Sequence, residues 1–429
     1  MNISNKDKRR FENDMAALFR LKELVKEQQA LLDFDLFERF QREIMTPVKR
    51  PVYLSKTAYE GLLRIKELMV AFLPSREFIE EEDIEHACRT VLGRLYIEES
   101  PSKDIDSFFR SVEETVSPLI KTRKFYSSLD GIDIVDFEEL NIGTFAIAKP
   151  DIQALQSFDI NENTAQKLLG NMQHGLWITG EVKGSPAHAE RIFFERVRAT
   201  CGVLAISLTT VLKRGAAAVQ LIPSMEGRMR PNSVSWFSFE LDSMGLSRSF
   251  SFRHPSIEIN KHNYDELRTC EWFKELVRIS QSDVSTEVEL AIQRSIYWFF
   301  DAQADTIPEM QFVKFWSCIE CFFSFEKEKT TAAIIEGLSL LLTGGSYGFI
   351  QAEFYSKLKK EIEGLYDKRS LAVHNAEHDH ITSTDVSTVS KWAAWVILEY
   401  ATLVARGFET RAAAKIQIYE MNNRAASTN

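Results

Sequence analysis

From about Asn5 to Leu129 the apolar positions recur at helical spacing. Phe11, Met15, Leu18, Leu21 and Val25 form one series, and Leu62, Leu63, Ile65, Leu68 and Met69 another, the recurrence expected of a helix with one buried face. Pro47, Pro51 and Pro74 punctuate the stretch and are read as points where helices close or open. A further amphipathic helix is predicted from Ser107 to Val116, with Phe108, Phe109 and Val112 on its apolar face and Pro118 just past its end. Residues 1–130 thus read as a helical N-terminal region.

The pattern then changes. Short β-prone runs, Thr144-Phe145-Ala146-Ile147 and Leu176-Trp177-Ile178-Thr179, are broken by Gly, Pro and Asn. Ala187 to Thr210 reads as a long, largely buried helix. Ser233 to Phe239 and Ser247 to Arg253 alternate with period two around a turn containing Gly245, which predicts a β-hairpin with one aromatic face. Residues 131–283 are therefore expected to form an α+β middle domain. The hairpin admits two readings. Arg228, Arg230, Arg248 and Arg253 beside Trp236, Phe237 and Phe250 have the composition of a surface that stacks bases and holds phosphates. The preferred reading is the inner face of a sheet, where aromatic residues on a hairpin more often lie.

Helical spacing returns from Ser285 to Arg406. Ser285 or Thr286 caps a helix through Ile292, Ile296 and Phe299. Pro308 opens the next, with Phe312, Phe315, Trp316, Ile319, Glu320 and Phe323. Thr330 or Thr331 caps a third, which Gly344-Gly345 ends. A fourth is expected from about Glu353 to Tyr366, a short one from Arg369 to His374, and a last from Ser387 to Ala405. Residues 284–410 read as a helical bundle and 411–429 as a flexible tail. The fold class is mainly α with an α+β middle region.

Composition narrows the function classes. A chain of 429 residues with 45% apolar content can bury two or three cores. Its formal net charge of −10 argues against coating nucleic acid by bulk electrostatics, so any such contact must be local. The five cysteines, Cys88, Cys201, Cys270, Cys318 and Cys321, are scattered among apolar neighbours and suit a reducing compartment. The basic N-terminus has no apolar segment after it, so a secretory signal is not expected. The apolar stretches near Gly202 to Leu212 and Ala393 to Ala405 are too short or interrupted for a membrane span. A soluble cytoplasmic protein is the expectation.

The chemistry concentrates in Tyr366-Asp367-Lys368-Arg369-Ser370-Leu371-Ala372-Val373-His374-Asn375. Histidine moves a proton near neutral pH, and arginine holds phosphate charge in a fork geometry that lysine lacks. RNA cleavage without a metal needs a base for the ribose 2′-hydroxyl, an acid for the leaving oxygen and a cation for the phosphorane. Residues five apart on a helix point about 140° from each other. The length of arginine, a helix start near Arg369, or a second chain must therefore bring Arg369 and His374 together. Ser370, four before His374, is placed to orient the ring, Glu320 to hold Arg369, and Asn375 to meet phosphate or a partner chain. Tyr366 reads as a packing residue with a satisfied hydroxyl, and Lys368 as a further RNA contact. Without more, the pair also fits an arginine salt-bridged in a bundle and a histidine at a helix C-terminus.

Two look-alikes are set aside. His374, His378, Asp379 and His380 lack the cysteines or glutamates that would complete a metal site, so no metal or other cofactor is expected. Cys318-Ile319-Glu320-Cys321 has thiol spacing but lies in an aromatic helix, where core packing is the better account.

The Tyr-x2-Arg-Ser-x2-Val-His string, with Phe315-Trp316-Ser317-Cys318-Ile319-Glu320 two helices earlier, resembles the HEPN domain (higher eukaryotes and prokaryotes nucleotide-binding). The likeness is to its ApeA-like group of bacterial defence proteins and covers roughly the last third of the chain. The resemblance implies a HEPN-type helical bundle and a metal-independent endoribonuclease of anti-phage defence. It implies Arg369 and His374 as the catalytic pair, and a homodimer whose two motifs form one cleft. Ser370 stands where many HEPN nucleases carry Asn, Asp or His, and suits the ApeA-like group. The expected partners are an RNA substrate, tRNA among the candidates, and a phage-derived trigger acting through the upstream regions. The competing reading is a non-catalytic HEPN module that binds RNA, a nucleotide or a partner protein.

Overall fold

The structure is a computed structural model that describes residues 3–99, 104–158, 160–171, 175–211, 219–226, 233–239, 246–251, 257–323, 330–375, 377 and 380–426. It divides into two units, Met1–Lys124 with Glu181–Phe193 and Phe125–Gly180 with Phe194–Asn429. Residues 131–283 and 284–410, read from the sequence as separate domains, fall in the second unit apart from 181–193.

The first unit contains α1 (Asn5–Leu18), β1 (Leu24–Val25), α2 (Glu27–Asp33), α3 (Leu36–Arg42), β2 (Glu43–Met45), β3 (Pro51–Leu54), α4 (Lys56–Phe72), α5 (Glu81–Ile97) and α6 (Ile105–Val116). Its core gathers the predicted stripes: Phe11, Met15 and Leu18 of α1 and Leu62, Ile65 and Met69 of α4 are fully buried. Phe108 of α6 meets Phe11 with ring centroids 5.5 Å apart. Side chains of this size contribute about 1.5–3 kcal/mol each when fully buried. Asp104 caps α6 by accepting from the N–H groups of Asp106 and Ser107 at 3.1 and 3.2 Å.

The unit is not wholly helical. β1, β3 and β2 form an antiparallel sheet with β3 in the centre. The α1 stripe stops at Leu18, and Val25 belongs to β1. Pro51 opens a strand instead of a helix, at the end of β3 where its missing N–H costs least.

A five-stranded sheet in the order β6-β7-β8-β4-β9 is built from β4 (Lys121–Asp130), β6 (Glu139–Ile142), β7 (Phe145–Ala148), β8 (Leu176–Gly184) and β9 (Ile222–Pro223). β5 (Ile132–Val135) pairs in parallel with β12 (Ile257–Asn260), and their isoleucines at 132, 134, 257 and 259 all point inward. The predicted runs at 144–147 and 176–179 fall on β7 and β8, with α7 (Ile152–Gln156) and α8 (Glu162–Asn171) between them, and the long helix is α9 (Pro186–Val211). The hairpin is present: β10 (Ser233–Phe239) and β11 (Leu246–Ser251) are antiparallel, with a bulge between Val234 and Trp236. Its turn at Gly245 lies outside the described residues.

The C-terminal part is helical, with helices joined by short connections among the described residues. Its helices are α10 (Lys261–Thr269), α11 (Glu271–Ser280), α12 (Glu287–Ala304), α13 (Pro308–Phe323), α14 (Thr330–Gly344), α15 (Tyr355–His374), α16 (Ser383–Ala405) and α17 (Arg411–Ala426). Thr286 caps α12 and Thr382 caps α16, each in a reciprocal box with the acid three residues on, Glu289 and Asp385. α13 packs against α12, α15 and α16, and Phe312, Phe315, Trp316 and Phe322 on it are sealed from solvent. Gly345 follows the last residue of α14, and the space admits no side chain there, since a Cβ would collide with the Leu341 carbonyl oxygen and the Glu399 carboxylate. The buried Glu399 carboxylate accepts from the N–H groups of Ser346 and Tyr347 at 2.8 and 3.0 Å.

Two expectations are corrected here. The segment from Glu353 to His374 is a single helix from Tyr355, not a helix and a separate short one. The tail is not free: α17 packs on α14, burying Ala414 and Ile418 on one face. Among the described residues no helix is long and apolar enough to cross a membrane.

Candidate functional site

Leu358, Ile362, Leu365 and Tyr366 form the buried stripe of α15, and the next position in that rhythm is Arg369. The arginine therefore enters the bundle where an apolar residue would continue the core, and a charge there needs a partner. Glu320 of α13 supplies it, with Arg369 Nη2 donating to Oε2 at 2.8 Å and side-chain exposures of 16% and 18%. The Tyr366 hydroxyl donates to the other oxygen, Oε1, at 3.2 Å. The guanidinium also lies 5.7 Å from the Tyr366 ring centroid, and Trp316 meets that ring edge-on at 5.2 Å.

Burial pushes the Glu320 carboxyl above the ordinary carboxylate range, while the Arg369 charge and the hydrogen bonds from Tyr366 and Arg369 pull it back. Burial, followed by the Glu320 charge, likewise raises the Tyr366 phenol. Arg369 Nε and Trp316 Nε1 are buried without a hydrogen-bond partner among the described residues.

The other motif residues are placed differently. Lys368 pairs with Asp385 at 2.8 Å, and its carbonyl oxygen lies 3.2 Å from His380 Nε2. Burial works against ionisation of Asp385, but the Lys368 ammonium and the Thr382 N–H and hydroxyl hold it below its usual range. His374 is the last residue of α15, exposed and without a hydrogen-bond or ion-pair partner among the described residues. Ser370 lies one turn before it but makes no hydrogen bond to it. Asn375 is the C-cap, donating from its backbone N–H to the Leu371 carbonyl oxygen at 2.9 Å and from Nδ2 to Glu377 at 3.3 Å.

The structure thus brings Arg369, Glu320 and Tyr366 together and leaves His374 apart from them. Along one continuous helix the Cα atoms of positions 369 and 374 are separated by about 8–9 Å and about 140°. Because α15 does not start near Arg369, that route to convergence is closed. Trp236 and Arg248 lie on the hairpin strands, opposite Ser249 and Phe237 respectively, and Arg253 lies outside the described residues, as do His378 and Asp379. Among the described residues no group of three or more His, Cys, Asp or Glu is placed to hold a metal ion. Cys318 and Cys321 sit in the α13 packing, and burial holds both thiols protonated, Cys321 at about 11.

Sequence reasoning missed Asp385, which determines where the Lys368 ammonium goes. Its signal was present as the Thr382-x-x-Asp385 capping pattern, one helix beyond the motif. Compared with models of known families, with curated proteins and with solved structures, the chain matches none of them.

Proposed function

We propose that the chain is a metal-independent endoribonuclease of the HEPN type, acting in bacterial anti-phage defence as a homodimer through its C-terminal bundle. The observation that carries the reading is His374: an exposed, unpartnered imidazole ends the helix whose inner face carries Arg369. An imidazole in that position is free to exchange protons with a ligand.

In the proposed reaction one His374 takes the proton of the ribose 2′-hydroxyl, whose oxygen attacks phosphorus. The P–O5′ bond breaks and the departing 5′-oxygen takes a proton from the second chain's imidazole. The products are a 2′,3′-cyclic phosphate and a 5′-hydroxyl. Arg369 gives Nη2 to Glu320 and keeps Nε buried; of the five N–H groups a guanidinium carries, those of its remaining nitrogen are assigned to phosphorane oxygens. The upstream regions restrain the nuclease until a phage-derived trigger releases it.

A second reading has its own observation. Arg369 is tied to Glu320 and mostly buried, as a purely structural arginine would be, which favours a non-catalytic module that binds RNA, a nucleotide or a partner protein. Incubation of the full-length protein with tRNA and structured RNA, with and without EDTA, separates the two. The nuclease reading expects cleavage that survives chelation, leaves cyclic phosphate ends and is lost in His374→Ala. Equal cleavage by that variant, or none by the wild type under any tested trigger, defeats it.

A further inference from the structure

The short helices α2 and α3 expose an apolar surface that nothing in the first unit covers. Leu32, Phe37 and Phe40 are 81%, 71% and 67% exposed, Leu31, Leu36 and Met45 about half or more, and α3 has no buried residue at all. Scaled by side-chain size, the exposed surface of these six residues sums to roughly 800 Å², where an ordinary monomer's large apolar side chains are more often exposed singly. It is also about what each partner contributes to a stable interface.

We propose that this face docks against the same face of a second copy, with the two α3 helices antiparallel about a twofold axis. The charges of α3 favour that occupant. Asp35 and Glu38 lie toward its start, and Arg39 and Arg42 fill its last turn. Antiparallel pairing sets the acidic half of each helix against the basic half of its mate, the isologous complementarity a twofold contact requires. Arg42 is already engaged by Glu38 at 2.9 Å and by the Phe34 ring at 4.6 Å. Among the described residues Arg39 makes no ion pair, and its buried Nε has no hydrogen-bond partner; the mate's Asp35 is the carboxylate the twofold contact would bring to the rest of its guanidinium. A lipid surface fits less well, because Glu27, Asp33, Asp35 and Glu38 line the same two helices and would meet anionic headgroups.

The inference stands apart from the nuclease reading. Light scattering on the full-length protein at micromolar concentration is expected to give a mass that falls by a factor of two or more in Phe37→Asp/Phe40→Asp. Both residues are exposed, and circular dichroism should show the variant folded. Arg39→Glu should weaken the association at least tenfold, and His374→Ala should leave it unchanged. Geometry is tested by oxidising Leu36→Cys chains mixed with Phe40→Cys chains, with the wild type as control for the native thiols. Antiparallel docking cross-links the mixture more than either variant alone. Equal masses for wild type and Phe37→Asp/Phe40→Asp overturn the proposal, as does a monomer that floats with anionic or neutral vesicles through these residues.

Discussion

Removing the Glu320 carboxylate probes the one place where the bundle carries a buried charge inside the candidate motif. At 2.8 Å and an effective dielectric near 20, the pair gains about 6 kcal/mol of gross attraction. Desolvation offsets much of it, which is why the Glu320 carboxyl sits above its ordinary range, burial outweighing Arg369 and Tyr366. The net worth of the pair is therefore small, but the cost of breaking it is not. Glu320→Ala leaves a guanidinium that is 16% exposed without its partner and the Tyr366 hydroxyl without its acceptor, a loss of about 3–5 kcal/mol. Glu320→Leu combined with Arg369→Met removes both charges and should lie within about 2 kcal/mol of wild type, less damaging than either change alone. Urea unfolding followed by tryptophan fluorescence reads this directly, because Trp316 packs 5.2 Å from the Tyr366 ring. The folded carboxyl lies above its unfolded value, so its contribution to stability is full in acid and declines as pH rises through the folded value. The advantage of wild type over Glu320→Gln should shrink in that window. Additive losses in the double variant, or a cost below about 1 kcal/mol for Glu320→Ala, would refute the reasoning.

Three further outcomes are expected. His374→Ala should reduce the proposed RNA cleavage by at least about 100-fold while moving the unfolding midpoint by no more than about 0.5 kcal/mol allows, measured in parallel on one preparation. Asp385→Asn should cost about 1–2 kcal/mol at neutral pH through the lost cap and ion pair. Because the Lys368 ammonium and Thr382 hold this carboxyl low despite its burial, its contribution is present above the unfolded value and lost as pH falls through the folded one, so the variant's acid limb should be flatter. Finally, Cys88, pushed up to about 12, and Cys318, also raised by burial, are both sealed from solvent and should label with a thiol reagent at neutral pH only as denaturant opens the fold; rapid native labelling of both would contradict their burial.

Much of the helical part was legible because its signals are local. Thr286 with Glu289, Pro308 and the Gly344-Gly345 pair each mark a helix boundary through neighbours a few residues away. The N-terminal sheet was not, because strands of two to four residues are too short to establish period two against the flanking helices. α17 was read as a loose end because it lies at the terminus and closes on polar residues. What orders it is tertiary: α14 offers a face on which Ala414 and Ile418 can be buried. At the motif, the link between Arg369 and Glu320 followed from charge placed at a core position, whereas the link between Lys368 and Asp385 depends on how α16 returns past α15.

The break placed between Tyr366 and Arg369 has the most consequence for chemistry. Asp367, Lys368 and Arg369 interrupt the apolar series, which made a helix end look natural there. In the fold the interruption is only apparent: Lys368 and Arg369 turn to carboxylates on two different neighbouring helices, so the polar run is held as firmly as an apolar one and α15 continues to His374. A rigid helix fixes the angle between positions 369 and 374 at about 140°, and the guanidinium is further anchored inward. Local refolding of the helix end is thus a costly way to make the two groups converge, since it would break the Lys368 and Arg369 pairs together. Under the proposed mechanism the imidazole must instead meet groups supplied by a second chain, which ties the expected chemistry to assembly instead of to a movement within one molecule.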